Sequence, residues 1–283
     1  MIGIIGQQLR ALGHGAISDA NHDAIYRRDQ GINIVVEGFT AGSIEVVRRL
    51  HEQGARFLYL ATEEPTDKGF NHGTQKEMVM RQQTFVEAAK YCEGIICLVP
   101  GEHVTRWYGQ HAPAAYCELG YAPALVRRDD GREPDFDFGF FGSLSPRRLK
   151  LLKKLATRTG KRIKITADFP SQDARDADVR RCRVVLQIRK FEEMGLVSSS
   201  RCCTSLCLGR PILAEPHAMS KPWDEIVRFS ASEKAFFDDA LLAWATWRPL
   251  HAGQMTKFKE KLPPEACIGK ALDEIGVLQK EAA

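Results

Sequence analysis

The sequence predicts an α/β fold of two domains, each a parallel sheet covered by helices, facing each other and followed by a helical tail. Three observations predict it. Short apolar runs alternate with helical stretches through residues 1–125, the alternation resumes after Asp135, and a charged, proline-containing segment separates the two series. Strand–helix alternation requires parallel crossovers and a sheet buried on both faces.

In order, Ile2 to Ile5 reads as a first strand, followed by a loop through Gly13-His14-Gly15 and a helical stretch from Ser18 to Arg28. Ile32 to Val36 is the second strand, ending at Glu37-Gly38-Phe39-Thr40. Ile44, Val47 and Leu50 line one face of a helix from Ala41 to Gln53 that Gly54 stops. Phe57 to Ala61 is the third strand and ends at Thr62-Glu63-Glu64-Pro65. A helix from Thr74 to Tyr91 leads to a fourth strand at Ile95 to Val99. Prolines and an Asp-Asp-Gly turn between Ala112 and Pro134 have the composition of a hinge. Beyond it come a strand at Phe136 to Phe141, a turn at Gly142-Ser143 and a basic helix from Pro146 to Thr159. Further strands are expected at Ile163–Thr166, Val184–Ile188, Ile212–Ala214 and Ile226–Phe229, with helices from Ser232 onward carrying Trp244 and Trp247. The expected domains are residues 1–125, residues 126–250 and a tail at 251–283.

Composition narrows the function. A chain of 283 residues with 44% hydrophobic content can build two cores and is not disordered. A net charge of +4, dispersed along the chain, lacks the basic stripe of a dedicated nucleic-acid binder. The start at Met1-Ile2-Gly3-Ile4-Ile5 does not read as a signal peptide, and no apolar run reaches membrane-spanning length. A soluble, cytoplasmic protein without integral membrane association is expected. The eight cysteines form no pair of C-x-x-C hooks, in keeping with buried, reduced thiols. Cys203 and Cys207 share a helix face but have no histidine or second cysteine pair near them, so no metal is expected.

The stretch from Gly195 to Pro216 carries the strongest local signal. Ser198 to Ser200 precede a short helix that ends at Gly209, and Ile212 to Ala214 then form a buried strand closed by Glu215. Free N–H groups, hydroxyls and Arg201 at a helix start suit a phosphate. Gly142, Ser143, Arg147, Arg148, Arg189 and Lys190 stand at neighbouring strand ends, where parallel sheets collect ligands. In the first half the strand ends carry Glu37, Glu63 and Glu64, with His14 and His103 on nearby loops. A carboxylate or imidazole there can act as a general base. Gly3-Ile4-Ile5-Gly6 lacks the dinucleotide-binding spacing. The D-x-D of Asp135 and Asp137 precedes its strand and reads as hinge chemistry rather than a metal site.

The run from Asp135 to Arg148, the strand Val184-Val-Leu-Gln-Ile and SSSRCCTSLCLGRPILAE resemble the carboxyl-terminal domain of GT-B glycosyltransferases, most closely the spore-maturation CgeB type. The resemblance covers about residues 115–216. It implies two facing Rossmann-like domains, a tail packing back across both, and metal-independent transfer of a sugar, in the cleft, from a nucleotide diphosphate donor to an acceptor hydroxyl. No cofactor is implied beyond the donor, such as a UDP- or GDP-sugar. The acceptor, a glycan, small molecule, protein or nucleic acid, is left open. Carried over by residue, Gly142, Ser143 and Arg147 line the donor site and Lys190 meets the phosphates. Ser199, Ser200 and Arg201 cap the diphosphate, Arg147 and Lys190 stabilising it as it leaves. The glutamate that grips the donor ribose in many relatives has no counterpart between Ser200 and Gly209, and Glu215 takes over part of that role. If the reaction inverts, Glu37, Glu63 or Glu64 supplies the base. The competing readings are a non-catalytic nucleotide- or partner-binding protein of the same fold, and a sugar transferase acting on modified nucleic acid.

Overall fold

The computed structural model describes residues 2–16, 31–72, 76–127, 131–168, 171–190, 192, 195–218 and 221–277. By internal contacts the chain forms two units, Gly15–Glu118 with Glu265–Ala283, and Met1–His14 with Leu119–Pro264. The first residues do not form the expected strand: α1 (Ile2–Ala11) is a helix, because Ile4, Ile5 and Gln8 recur at helical spacing and all three are buried. It belongs with the second unit. The helix expected at Ser18 to Arg28 lies outside the described residues.

The first unit is built on β1 (Ile32–Val36), α2 (Ala41–Glu52), β2 (Arg56–Ala61), α3 (Lys76–Ala88), β3 (Gly94–Cys97), α4 (Glu102–Gly109) and β4 (Ala114–Tyr116). The strands are parallel in the order β1-β2-β3-β4, with Ile32 beside Arg56, Leu58 beside Gly94 and Ile95 beside Ala114. β4 falls inside the segment expected as a hinge; three residues are too few to register as a strand by pattern, yet Ala115 is buried. Thr40 and Ser43 cap α2 reciprocally, Thr40 Oγ1 accepting from Ser43 N–H and Ser43 Oγ from Thr40 N–H. Tyr59, Phe70, Phe85 and Tyr108 fill the space between the sheet and its helices as an edge-to-face cluster.

In the second unit α5 (Pro146–Thr159), α6 (Gln172–Arg180), α7 (Ser199–Cys207), α8 (Glu233–Ala245) and α9 (Trp247–Lys261) flank a sheet of β5 (Phe136–Phe141), β6 (Ile163–Thr166), β7 (Cys182–Gln187), β8 (Ile212–Ala214) and β9 (Arg228–Phe229). All are parallel, in the order β6-β5-β7-β8-β9. The pattern reading missed α6, a polar segment that Ser171 caps by accepting from Ala174 N–H at 3.1 Å. Phe138, Phe140, Leu152, Leu155, Val184, Leu186, Leu213 and Phe236 form the core. Gln254 of α9 grips β8 like a further peptide group, accepting from Ile212 N–H at 2.9 Å and donating to Ile212 O at 2.8 Å. The D-x-D aspartates are occupied at the start of β5. Arg181 donates to Asp135, and Trp244 and the Arg162 N–H donate to Asp137.

The last helix, α10 (Ile268–Ile275), belongs to the first unit and packs on β3 and β4, whereas α9 stays with the second. The fit at Gly94 is tight. A Cβ there would lie 2.2 Å from Ile275 Cγ2 and 3.1 Å from Pro113 O. Gly94→Ala is therefore expected to cost about 1–3 kcal/mol through overpacking, read as a lower urea midpoint with loss of near-ultraviolet signal. An unchanged midpoint would mean that α10 does not seat on this strand.

Candidate functional site

The order β6-β5-β7 places the topological switch of the second sheet between β5 and β7, because the chain runs outward from β5 to β6 and then crosses to the other side. Ligands of such sheets gather beyond the carboxyl ends of the two strands at the switch. β5 ends at Phe141 and is followed by Gly142 at φ +138°, a conformation open to glycine. Ser145 caps α5, accepting from Arg148 N–H at 3.2 Å and donating to Lys190 O at 2.7 Å, so the loops after β5 and β7 are tied together.

Four arginines converge on this edge, and they divide into two kinds. Arg147 and Arg189 are neutralised. Glu215, fully buried at the end of β8, accepts from Arg147 NH1 at 2.7 Å, from Arg147 NH2 at 2.5 Å and from the Arg189 N–H, and Arg189 NH2 stands 3.6 Å away. Glu192 adds a second carboxylate 2.8 Å from Arg147 Nε, and these partners raise the Arg147 pKa. Arg148 and Arg201 form no ion pair among the described residues. Arg148 donates from Nε and NH2 to Ile188 O at 3.0 and 2.8 Å and from NH1 to Ser143 O at 2.8 Å. Arg201 donates from Nε to Phe141 O at 3.0 Å and from NH1 to Gln187 Oε1. Both guanidinium carbons lie 5.1 Å from the centre of the Phe140 ring. Burial lowers both pKa values to about 10, which leaves each a cation at neutral pH. Buried charge without a counter-charge is costly, and here it is fixed at the ligand-bearing edge. A Cβ on Gly142 would lie 2.8 Å from Arg201 NH2, so that nitrogen sits against the bare backbone of the loop.

The expected donor residues thus take different positions. Gly142, Ser143, Lys190 and Arg201 come together at the β5 and β7 ends. Arg147 and Glu215 bind each other. Ser198, at the helix start, makes no side-chain cap, and the Ser199 hydroxyl turns inward to accept from Trp223 Nε1 at 3.1 Å. Ser200 remains partly exposed on the first turn. Sequence reasoning missed Gln187 and His217. Burial lowers the His217 pKa, so its ring is neutral at pH 7. Nδ1–H donates to Glu215 O at 2.7 Å, and Nε2 is left to accept from Gln187 Nε2 at 3.3 Å. Gln187 Oε1 is thereby turned toward Arg201. The available signal was a lone amide within the apolar run Val184 to Ile188.

In the first unit the three glutamates stand at strand ends, as expected, but in unlike surroundings. Glu37 is buried: Oε1 accepts from the Thr62 N–H and from Thr62 Oγ1 at 2.7 Å, and Oε2 lies 2.9 Å from Tyr108 Oη. Burial raises its pKa from 4.5 to about 7, outweighing the Thr62 hydrogen bonds. Tyr108 Oη also lies 3.0 Å from Glu63 O. One phenolic proton cannot serve both acceptors. The arrangement is satisfied when Glu37 is protonated and donates to Tyr108, which in turn donates to Glu63 O. Glu63 pairs with Arg81 at 2.6 Å and accepts from Asn71 Nδ2. Asn71, at φ +55°, accepts from Glu64 N–H at 2.9 Å. The Glu64 carboxylate is 3.2 Å from Nε2 of the more exposed His103. His14 belongs to the other unit.

No family model and no curated protein matches the sequence. Solved structures do. TarM superposes with a TM-score of 0.55 at 10% identity, over 86% of this chain and 54% of TarM. A mutant S. aureus TarM in complex with fondaparinux, α-GlcNAc-glycerol and UDP gives 0.53 at 13%, over 83% of this chain and 53% of that one. A UDP-forming α,α-trehalose-phosphate synthase from Burkholderia xenovorans gives 0.51 at 10%, over 86% and 73%. The chain therefore spans about half the length of TarM. These neighbours are GT-B glycosyltransferases, and the fold of this chain is theirs: α/β, with two Rossmann-like domains. Among the described residues no helix is long and apolar enough to cross a membrane.

Proposed function

We propose that this chain is a glycosyltransferase that moves a sugar from a nucleoside diphosphate, such as UDP or GDP, to an acceptor hydroxyl. The observation that carries the reading is that Arg148 and Arg201, at the switch point of the second sheet, form no ion pair among the described residues, Glu215 near Arg148 being already held by Arg147. A diphosphate is the counter-charge they lack. In this reading Arg201 NH2, the Gly142-Ser143 backbone, Lys190 and Ser200 hold the phosphates, and Arg148 keeps the loop in place through Ser143 O. Glu215 and Arg147 position Arg189 rather than grip the ribose. As the sugar leaves, negative charge grows on the diphosphate and fixed cations stabilise it without reorganising. Arginine and lysine supply the positive charge, so the transfer is metal-independent.

On the acceptor side, His103 is the group best placed to receive a hydroxyl proton. With Nε2–H donating to Glu64, Nδ1 is left as the basic nitrogen, and Glu64 stabilises the imidazolium that forms. Glu63, held by Arg81 and Asn71, fixes the loop that presents Glu64. The resemblance to the CgeB type belongs to this same reading and rests on the run from Asp135 to Arg148, the strand Val184-Val-Leu-Gln-Ile and SSSRCCTSLCLGRPILAE.

The test is thermal stabilisation by nucleoside diphosphates and nucleotide sugars, followed by donor hydrolysis or transfer. At a hundred times its dissociation constant, a ligand adds about 2.7 kcal/mol. Arg201→Met is expected to cut that stabilisation to about 0.3–1.3 kcal/mol at the same ligand concentration. Loss of one charge-assisted contact worth about 1.5–3 kcal/mol weakens binding by roughly one to two orders of magnitude. If no nucleoside diphosphate stabilises the protein, the reading fails. Binding without turnover would instead define a non-catalytic nucleotide-binding protein.

A further inference from the structure

A groove in the second unit runs along the outer face of α5. It encloses about 790 Å³ and has Leu149 and Phe237 on its floor and Lys150, Lys153, Lys154 and Arg158 around them. The helix carries six basic residues and no acidic one. Arg147 and Arg148 turn inward to the partners described above. The other four point outward. Lys150 and Lys153 form no ion pair among the described residues. Lys154 meets Glu233 at 3.1 Å and Arg158 meets Asp238 at 3.7 Å, through side chains that are all about half exposed or more. Such surface pairs contribute little and exchange readily. One leucine stands open beside the lysines, Leu149 at 37% exposure, on a helix whose Leu151, Leu152 and Leu155 are buried.

We infer that this face docks the protein on the surface of a bilayer carrying anionic headgroups. The groove is open and its lining residues all belong to α5 and α8, so it offers no strand edge for an extended peptide. Its unpaired cations are lysines, hydrated point charges suited to a diffuse anionic surface rather than to fixed bidentate partners. The apolar floor beside them matches the acyl boundary that interfacial helices reach with their leucines. Its aromatic, Phe237, is buried at 6% exposure, which leaves no ring for stacking nucleic-acid bases. Attachment here is peripheral and reversible, and it leaves the donor edge uncovered, since Gly142, Lys190 and Arg201 are not among the groove residues.

The test is co-sedimentation of the full chain with vesicles of equimolar phosphatidylglycerol and phosphatidylcholine, against phosphatidylcholine alone, at low and high salt. Binding to the anionic vesicles alone, weakened by salt, is expected. The double substitution Lys150→Glu with Lys153→Glu should lower the partition coefficient at least about 25-fold, roughly fivefold for each lysine lost near an anionic surface, at unchanged melting temperature. Leu149→Asn should reduce the binding that persists at high salt. If the glutamate pair lowers the melting temperature, Lys150→Gln with Lys153→Gln and the leucine variant carry the same comparison. Failure to bind anionic vesicles, or equal binding by wild type and the lysine variants, overturns the inference. So does tighter binding to polyglutamate than to vesicles, which would make the occupant an acidic protein.

Discussion

Glu215→Ala is expected to lower the unfolding free energy by about 3–5 kcal/mol, the cost of removing one partner from a buried ion pair. The Glu215 side chain is wholly buried and that of Arg147 is only 15% exposed, so solvent offers little replacement for the lost carboxylate. Arg147 would lose its bidentate partner, and the Arg189 N–H would lose its acceptor. Urea denaturation measures the effect. Arg147→Ala should also destabilise, leaving the Glu215 carboxylate buried with Arg189 alone beside it, although the sequence resemblance places that arginine in the donor site. The double variant Glu215→Leu with Arg147→Met should recover much of the loss, because matched apolar residues remove both desolvation costs. A loss below about 1 kcal/mol for Glu215→Ala, the range of exposed pairs, would mean that the pair is solvated, and Glu215 would again be open to a ligand.

This pair also shows where sequence reading stops. Parallel alternation, the strand ends and the residues gathered on the second sheet's edge were legible because they depend on local periodicity and on the rule that ligands gather at carboxyl ends. Which arginine is neutralised was not. Arg147 and Arg148 are adjacent on one helix, and Glu215 lies 68 residues beyond Arg147; only strand order brings the carboxylate to one guanidinium and not to the other. The same limit hid the inward turn of Ser199, whose partner Trp223 lies in a different segment. The start of the chain failed for another reason. Ile2-Gly3-Ile4-Ile5 satisfies both a short strand and one turn of a helix, and its packing with residues beyond 118 decides between them. In the first unit the three glutamates could be placed at strand ends, but their different environments depend on Tyr108, Arg81 and His103, contributed by other helices.

Glu37→Gln is expected to make the protein more stable near pH 8 and to remove a pH dependence that the wild type shows. The Glu37 carboxyl has its folded pKa raised to about 7 from 4.5, chiefly by burial. The folded state therefore binds this proton more tightly than the unfolded state does. The stabilisation that the proton brings is fully present below the unfolded value of 4.5 and is lost as pH rises through 7. At about 1.36 kcal/mol for each tenfold difference in proton affinity between the two states, the loss approaches ~3 kcal/mol. Glutamine reproduces the protonated geometry, with Oε1 accepting from Thr62 and Nε2 donating to Tyr108, which remains free to donate to Glu63 O. Urea midpoints from about pH 5 to pH 8 for both proteins isolate the effect. His111 and His217, whose pKa values burial lowers, bring a dependence of opposite sign that is common to the two and cancels in the difference. The two curves should draw together toward pH 4.5, separate between about pH 5 and pH 7, and keep a constant gap above pH 7 with the glutamine protein ahead. Parallel curves would show that Glu37 is ionised throughout. The outcome also bears on the proposed transfer, in which a carboxyl that is protonated below pH 7 and turned toward Tyr108 would leave deprotonation of the acceptor to the Glu64–His103 pair. Glu37→Gln should accordingly retain transfer activity, and His103→Gln should lose it.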